Sequence, residues 1–344
     1  MTTADAPLRL ALAQIAPVWL DRDATVSKIA DWVRRASTGG ASLVAFGEAI
    51  APGYPFWIEH TDGARFESPL QKELFAHYAA QAVDLSRDDL APVRKAARDG
   101  RTWVAVGIIE RARERGHSLY CSLVLIDDAG EIRNVHRKLM PTHEERLAWA
   151  PGDGHGLRCF AVGGFMLGAL SCWENWMPLA RSALYAQGED LHIATWPGSV
   201  RNTQDITRHM AREGRSYVAS VSGLMRRCDI PPHLPHAELL RDALPEVCAN
   251  GGSCVAGPDG EWLIEPCIGE ERLLTCDIDP AQVRGERHNF DPFGHYSRPD
   301  VLELRVNRVR QRGVQFTDSD DPRPGMHPER LRGPRRHKAP RQSA

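Results

Sequence analysis

The sequence predicts an α/β domain built on mixed β-sheet, and three observations predict it. Short apolar runs alternate with amphipathic stretches, the pattern of a sheet covered by helices. Several strand-like runs are joined in pairs by tight glycine-containing turns, so some neighbours are antiparallel. Neither G-x-G-x-x-G nor G-x-x-x-x-G-K occurs in the chain, which separates it from the doubly wound nucleotide folds.

Taken in order, residues 8–15 (LRLALAQI) form an apolar run. Residues 21–36 then carry Val26, Ile29, Ala30 and Val33 at helical spacing, so a strand and an amphipathic helix are expected. Gly39-Gly40 closes that helix, and 42–46 (SLVAF) reads as a second strand buried on both faces. Helices are expected over 68–82 and 88–99 and a strand over 102–110. Residues 120–127 and 131–136 form a hairpin around Asp128-Ala129-Gly130, and 159–162 and 165–171 another around Gly163-Gly164. A helix over 178–186, a strand over 190–195, a helix over 203–216 and a strand over 217–222 follow. Residues 231–248 read as a polar, proline-broken surface insertion. A hairpin of 253–256 with 262–265 and a strand over 273–278 complete the pattern.

Composition narrows the function. At 42% hydrophobic and 26% charged residues, the chain falls in the globular range and can bury a core. A net charge of −2 argues against a nucleic-acid partner. No run approaches the length of a membrane span. The start lacks a basic region and its apolar stretch is interrupted by Gln14, so it does not read as a secretory signal. Eight cysteines without a C-x-x-C pair suggest reduced thiols in a cytoplasm; Cys248 and Cys254 are able to pair, but nothing requires it. From about residue 318 the composition turns to Pro, Arg, Asp and Gly, too poor in large apolar groups to offset ordering entropy. The expected organisation is therefore one domain over 1–310 and an extension over 311–344, disordered from about 318.

Three chemically distinct residues follow strands in this pattern. Glu48 leaves the 42–46 strand ahead of an aromatic Pro-Gly-Tyr-Pro-Phe-Trp loop, Lys138 leaves the 131–136 strand, and Cys172 leaves the 165–171 strand ahead of Trp-Glu-Asn-Trp. Each alone has a plainer reading: a solvated edge carboxylate, a loop lysine, a core thiol. Together a base, an ammonium and a thiol suffice for nucleophilic attack on an electrophilic carbon. A thiol with pKa near 8.5 is only a few per cent thiolate at neutral pH, so it needs such help. Tyr54, Trp57, Trp173, Trp196 and Pro197, on loops beyond strand ends, are candidates for a substrate pocket, or for packing.

The ordered set of motifs resembles the nitrilase superfamily of carbon–nitrogen hydrolases, and more closely its true nitrilase branch. It consists of Phe46-Gly-Glu48 with PGYP at 52–55, His136-Arg-Lys138 with PTHEER at 141–146, and Cys172-Trp-Glu-Asn175 with Met177-Pro178. It continues through RHMAREG at 208–214 to DPFGHYSRPD at 291–300. The resemblance implies a four-layer α-β-β-α sandwich with Cys172 as nucleophile, Glu48 as general base and acid, and Lys138 as stabiliser of tetrahedral intermediates. It places a second glutamate at Glu145, ahead of Glu144, as a positioning group. The backbone N–H of Trp173 and Lys138 become donors to developing negative charge.

The resemblance further implies a small-molecule nitrile substrate, and homodimers that build larger spirals or filaments. No metal or organic cofactor is expected, since thiol, base and cation cover the charge changes. Trp173 favours nitriles over amides, and Asn175 favours organic nitriles over cyanide. Gly47, where many relatives have proline, implies a looser backbone before Glu48. The rival expectations are an amidase of the same superfamily and a non-catalytic assembly protein that kept the fold.

Overall fold

Leu10 and Leu12 of the first strand, β1 (Leu8–Gln14), face one side of their sheet, Ala11 and Ala13 face the other, and all four are buried. A strand covered on both faces explains why the sequence reads as a continuous apolar run rather than an alternating one. The computed structural model describes residues 7–312.

The first sheet places β1 beside β2 (Leu43–Phe46) and β3 (Trp103–Arg111), both in parallel register, followed by the antiparallel β4 (Leu119–Ile126) and β5 (Ile132–Arg137). A late strand, β13 (Arg272–Ile278), closes the other edge against β1. The second sheet comprises β6 (Phe160–Val162), β7 (Phe165–Ser171), β8 (Leu191–Trp196), β9 (Tyr217–Ser222), β10 (Leu224–Arg226), β11 (Val247–Ala256) and β12 (Trp262–Ile268). Its order is β10-β11-β9-β8-β7-β6 with β12 on β11, and β7, β8 and β9 are parallel. Gly163, at φ +58°, makes the two-residue turn that pairs Val162 with Phe165.

The sheets stack through Leu10, Leu12, Leu43 and Leu123 on one side and Phe165, Leu167, Ile193 and Val221 on the other. Helices α1 (Arg22–Thr38) and, beyond α2 (Trp57–His60) and α3 (Pro69–Gln81), α4 (Ala91–Gly100) cover the outer face of the first sheet. In α1 the Asp21 side chain caps the Ala24 N–H, and Val26, Ile29, Ala30 and Val33 fall on the buried face. The outer face of the second sheet is covered by α5 (Pro178–Tyr185) and α6 (Val200–Gly214). These are the four layers, α-β-β-α.

Two expectations need correction. The 231–248 segment is not a polar surface insertion. It carries α7 (Ala237–Ala243), whose Leu240, with Leu234, Ala237 and Leu244, packs into a cluster with Trp57, Ile58 and Tyr78. The helical spacing of these residues is short, and prolines at 231, 232, 235 and 245 obscure it. Gly47 does not loosen its backbone: a Cβ there would lie 2.8 Å from the Gly223 nitrogen and 3.0 Å from the Trp196 carbonyl. Glycine instead lets the two sheet ends approach until Glu48 N–H donates to that carbonyl at 3.1 Å. A last helix, α8 (Pro280–Arg287), capped by Asp279, was not anticipated. The expectations for the extension fall outside the described residues from 313 onward.

Candidate active site

Three strand ends converge. Glu48 stands just past β2, its backbone tied to the end of β8 through the Trp196 carbonyl. Lys138 follows β5, its N–H donating to the Cys121 carbonyl of β4 at 2.8 Å, while Gly152 folds back to donate to the Lys138 carbonyl at 2.8 Å. Cys172 opens a 3-10 turn, Cys172–Trp176, directly after β7, and its φ of +52° lies in the left-handed region that side chains with a Cβ avoid. A sharp strand-to-helix turn of this kind lifts one side chain away from the sheet.

The side chains meet inside the protein. Lys138 Nζ lies 2.9 Å from Glu48 Oε1 and 2.7 Å from Glu145 Oε2, and all three residues are buried. Cys172 Sγ and one carboxylate oxygen each of Glu48 and Glu145 lie within 4.8 Å of one another. Such a donor set is able to hold a metal ion, but the Lys138 ammonium already sits against both carboxylates and supplies the positive charge there. Glu145 belongs to the 3-10 turn His143–Leu147, where it closes a capping box by accepting from Thr142 N–H at 2.6 Å. Tyr54 donates to Glu145 Oε1 at 2.9 Å. Glu144, by contrast, is partly exposed and lies beside His143.

The electrostatics follow from one ammonium facing two carboxylates and a thiol, all four groups buried. Burial pushes the Glu48 carboxyl up to about 7; Lys138 opposes this and the Glu145 charge adds to it. The Cys172 thiol is raised well above its ordinary value by burial and by Glu48, with Lys138 and the Trp173 N–H pulling the other way. Lys138 keeps its proton: burial works against the charge, but the surrounding anionic groups raise it well above the ordinary lysine value. The Cys172 side chain therefore rests as a thiol, and any attack by its sulfur needs a base. Glu48 Oε1 is occupied by Lys138 and by the Cys121 S–H at 3.5 Å, whereas Oε2 is buried with no hydrogen-bond partner among the described residues.

The pocket candidates separate. Tyr54 joins the cluster through Glu145, its ring edge-on to Trp149, whose own ring centroid is 5.5 Å from Lys138 Nζ. Trp57 packs in the core against Trp19 and Tyr78 and also walls a cavity of about 180 Å³ beside Leu147 and Ala148. Trp196 is buried behind Cys172 with Ile206 and Met210, and its Nε1 donates to Ser220 Oγ; the strand register turns it toward α6 rather than toward the strand ends. Pro197 is half-buried beside Gly223. The Trp173 side chain is 48% exposed, its ring 6.1 Å from that of Trp176, while its backbone N–H faces the Cys172 sulfur.

Sequence reasoning missed three groups. Cys121 touches Glu48, as above. Glu174 accepts from the Leu139 N–H at 2.6 Å, the Ser171 N–H at 3.0 Å and His136 Nε2 at 3.1 Å, so it ties the Lys138 loop to the Cys172 turn. Burial alone would raise the Glu174 carboxyl; His136 and the two N–H donors outweigh burial and hold it below the usual range. The third is a buried chain through Asn175, His192 and Glu189. A hydrophobic run followed by Ser-x-x-Glu at 171–174 is a capping-box signal that would have found Glu174.

The carbon-nitrogen hydrolase family model matches residues 9–287. The chain belongs to this family. Within it the chain is similar to nitrilases: it is 37% identical to a nitrilase of Pseudomonas syringae pv. syringae over 88% of this chain and 90% of the other. It is 33% identical to Nitrilase 1 of Arabidopsis thaliana over 90% and 89% of the two chains. Among solved structures, a carbon-nitrogen hydrolase from Helicobacter pylori shares the fold with a TM-score of 0.65 at 20% identity, over 86% of this chain and 97% of that one. Among the described residues of this family member, no helix is long and apolar enough to cross a membrane.

Proposed function

We propose that the protein is a nitrilase that converts an organic nitrile to its carboxylic acid and ammonia. Cys172 is the nucleophile, Glu48 the general base and acid, Lys138 the charge stabiliser and Glu145 a positioning group. The observation that carries this reading is the unpartnered Oε2 of Glu48 in a buried cluster with the Cys172 thiol and the Lys138 ammonium. Sulfur attacks the nitrile carbon while Glu48 takes the thiol proton and delivers it to the nitrogen, giving a thioimidate. Water adds to that carbon as Glu48 passes its first proton to the nitrogen; the remaining hydroxyl proton follows by way of Glu48 as the C=O forms and the C–N bond breaks, so that ammonia leaves and a thioester remains. A second water, deprotonated by Glu48, adds in turn, and the C–S bond breaks to release the acid and restore the thiol. Lys138 and the Trp173 N–H face the charge that develops in these steps, an arrangement commonly worth ~3 kcal/mol per donor.

The choice of nitrile over amide rests on the similarity to nitrilases and on Trp173-Glu174 after the nucleophile. Ammonia and acid release should be measured across parallel panels of nitriles and amides. Nitriles should turn over to acid; amide hydrolysis with nitriles untouched would assign the amidase reaction instead. Arylacetonitriles, aromatic and aliphatic nitriles all belong in the panel.

A cytoplasmic location and assembly of homodimers into larger spirals are part of the proposal. Eight free cysteines support the first. The exposed Trp173, Trp176, Met177 and Leu179 side chains support the second.

A further inference from the structure

Behind Cys172 runs a buried hydrogen-bond chain that none of the proposed chemical steps uses. Asn175 Nδ2 donates to the Cys172 carbonyl at 2.9 Å and lies 3.4 Å from the Leu170 carbonyl. Both of these partners are acceptors, so the amide nitrogen must face them and Oδ1 must face the other way. On that side His192 Nε2 lies 2.8 Å from Asn175 Oδ1, and His192 Nδ1 lies 2.7 Å from Glu189 Oε1. The imidazole thus bridges an amide oxygen and a carboxylate, one through each ring nitrogen. All three residues are buried.

The chain is built into the fold. Gly168 of β7 pairs with His192 of β8, and a Cβ at Gly168 would lie 1.8 Å from Glu189 Oε1, so the glycine makes the room for that carboxylate. Asn175 is also held from its backbone: Arg181 donates to its carbonyl at 2.7 Å and is itself gripped by both oxygens of Glu213. Buried charges cost several kcal/mol in desolvation, and apolar packing of equal volume would serve stability as well or better. What the polar chain adds is direction.

We propose that Glu189, His192 and Asn175 form a positioning relay that ends on the peptide group joining Cys172 to Trp173. Resting on the reading of Cys172 as nucleophile, the relay has two effects. Donation to the Cys172 carbonyl holds the turn in which Cys172 takes its left-handed conformation. It also draws electron density toward that oxygen, so the N–H of the same peptide unit, that of Trp173, becomes a stronger donor to the sulfur and to the developing anion. The His192 ring against Asn175 Oδ1 is the source of the polarisation, and Glu189 holds that ring in place through Nδ1.

The test uses full-length protein and two near-isosteric variants, Asn175→Asp and Glu189→Gln. It measures kcat and KM with a nitrile turned over by the wild type, the rate of Cys172 alkylation by iodoacetamide, and the thermal midpoint. Loss of a single oxyanion donor costs about 10²–10³ in kcat. Asn175→Asp should approach that loss and Glu189→Gln should lose about tenfold in kcat, with KM within about threefold and Cys172 alkylated more slowly. If Asn175→Asp does not fold, Glu189→Gln, which replaces one atom and its charge, carries the test. Folded variants with wild-type kcat and alkylation would overturn the relay. So would a kcat loss matched by an equal rise in KM at unchanged alkylation, which assigns the residues to substrate binding. Turnover retained by Cys172→Ala would instead sink the nucleophile assignment itself, so the two failures are distinguishable.

Discussion

Lys138→Met should abolish nitrile turnover and destabilise the protein by about 3–5 kcal/mol, the usual cost of removing one partner from a buried charge pair. The size follows from what the ammonium faces. Glu48 and Glu145 each place a carboxylate oxygen within 2.9 Å of Nζ, and all three residues are buried. Methionine fills the volume and leaves two carboxylates with no cation. The Glu48 carboxyl, already held up to about 7 by burial, then loses the cation that opposes this shift and binds its proton more tightly still, so the variant's native state binds more protons than the unfolded state over a wider pH range. The deficit should therefore grow as pH rises above the ordinary carboxylate range and shrink as pH falls toward it. Urea midpoints of wild type and variant at pH 5 and pH 8 check this; a deficit independent of pH would mean the ammonium is not pairing these groups. On the catalytic side, the lost stabiliser should lower kcat by about 10³ or more.

Glu48→Gln should lower kcat by about 10²–10⁴ with a small change in KM, the usual contribution of a general base. The same substitution should also change the pH profile. In the wild type, burial holds the Glu48 carboxyl up to about 7, and only the ionised form can take the Cys172 proton. The rate at limiting substrate should thus fall as pH drops through about 7, and Glu48→Gln should flatten that limb. For stability the sign is opposite. A carboxyl that binds its proton more tightly when folded favours the native state below its ordinary value, and this contribution is lost as pH rises through about 7. Activity and stability should therefore diverge across neutrality, which titrations of both on one preparation can check.

Much of this site is legible in the chain because catalytic groups at strand ends leave a simple trace: an apolar run, then a polar residue, then turn or aromatic residues. Glu48, Lys138 and Cys172 each leave it, and the structure brings all three together. Cys121 shows where such reading stops. Counting the hairpin outward from Ile126 and Ile132 puts Cys121 opposite Arg137, but a bulge between Leu125 and Ile126 shifts the register, so that Ser122 pairs with Arg137 and Cys121 falls level with Lys138. One inserted residue moves a thiol from an ordinary strand position onto the base. His192 was hidden for another reason: it sits within an apolar strand, and its partners, Glu189 and Asn175, come from different turns. Trp57 opens the short helix α2 and Trp196 ends β8, yet the neighbouring layers bury both; position beyond or at a strand end does not say which way a side chain turns.

The central claim is that Cys172 forms a covalent bond with the substrate carbon. Wild-type protein should be mixed with a nitrile it turns over, quenched in acid within the first turnovers, and mapped by peptide mass spectrometry. The peptide carrying Cys172 should hold a thioimidate or acyl adduct, and Cys172→Ala should show neither adduct nor ammonia release. An adduct on Cys121, or ammonia released by Cys172→Ala at the wild-type rate, would contradict it.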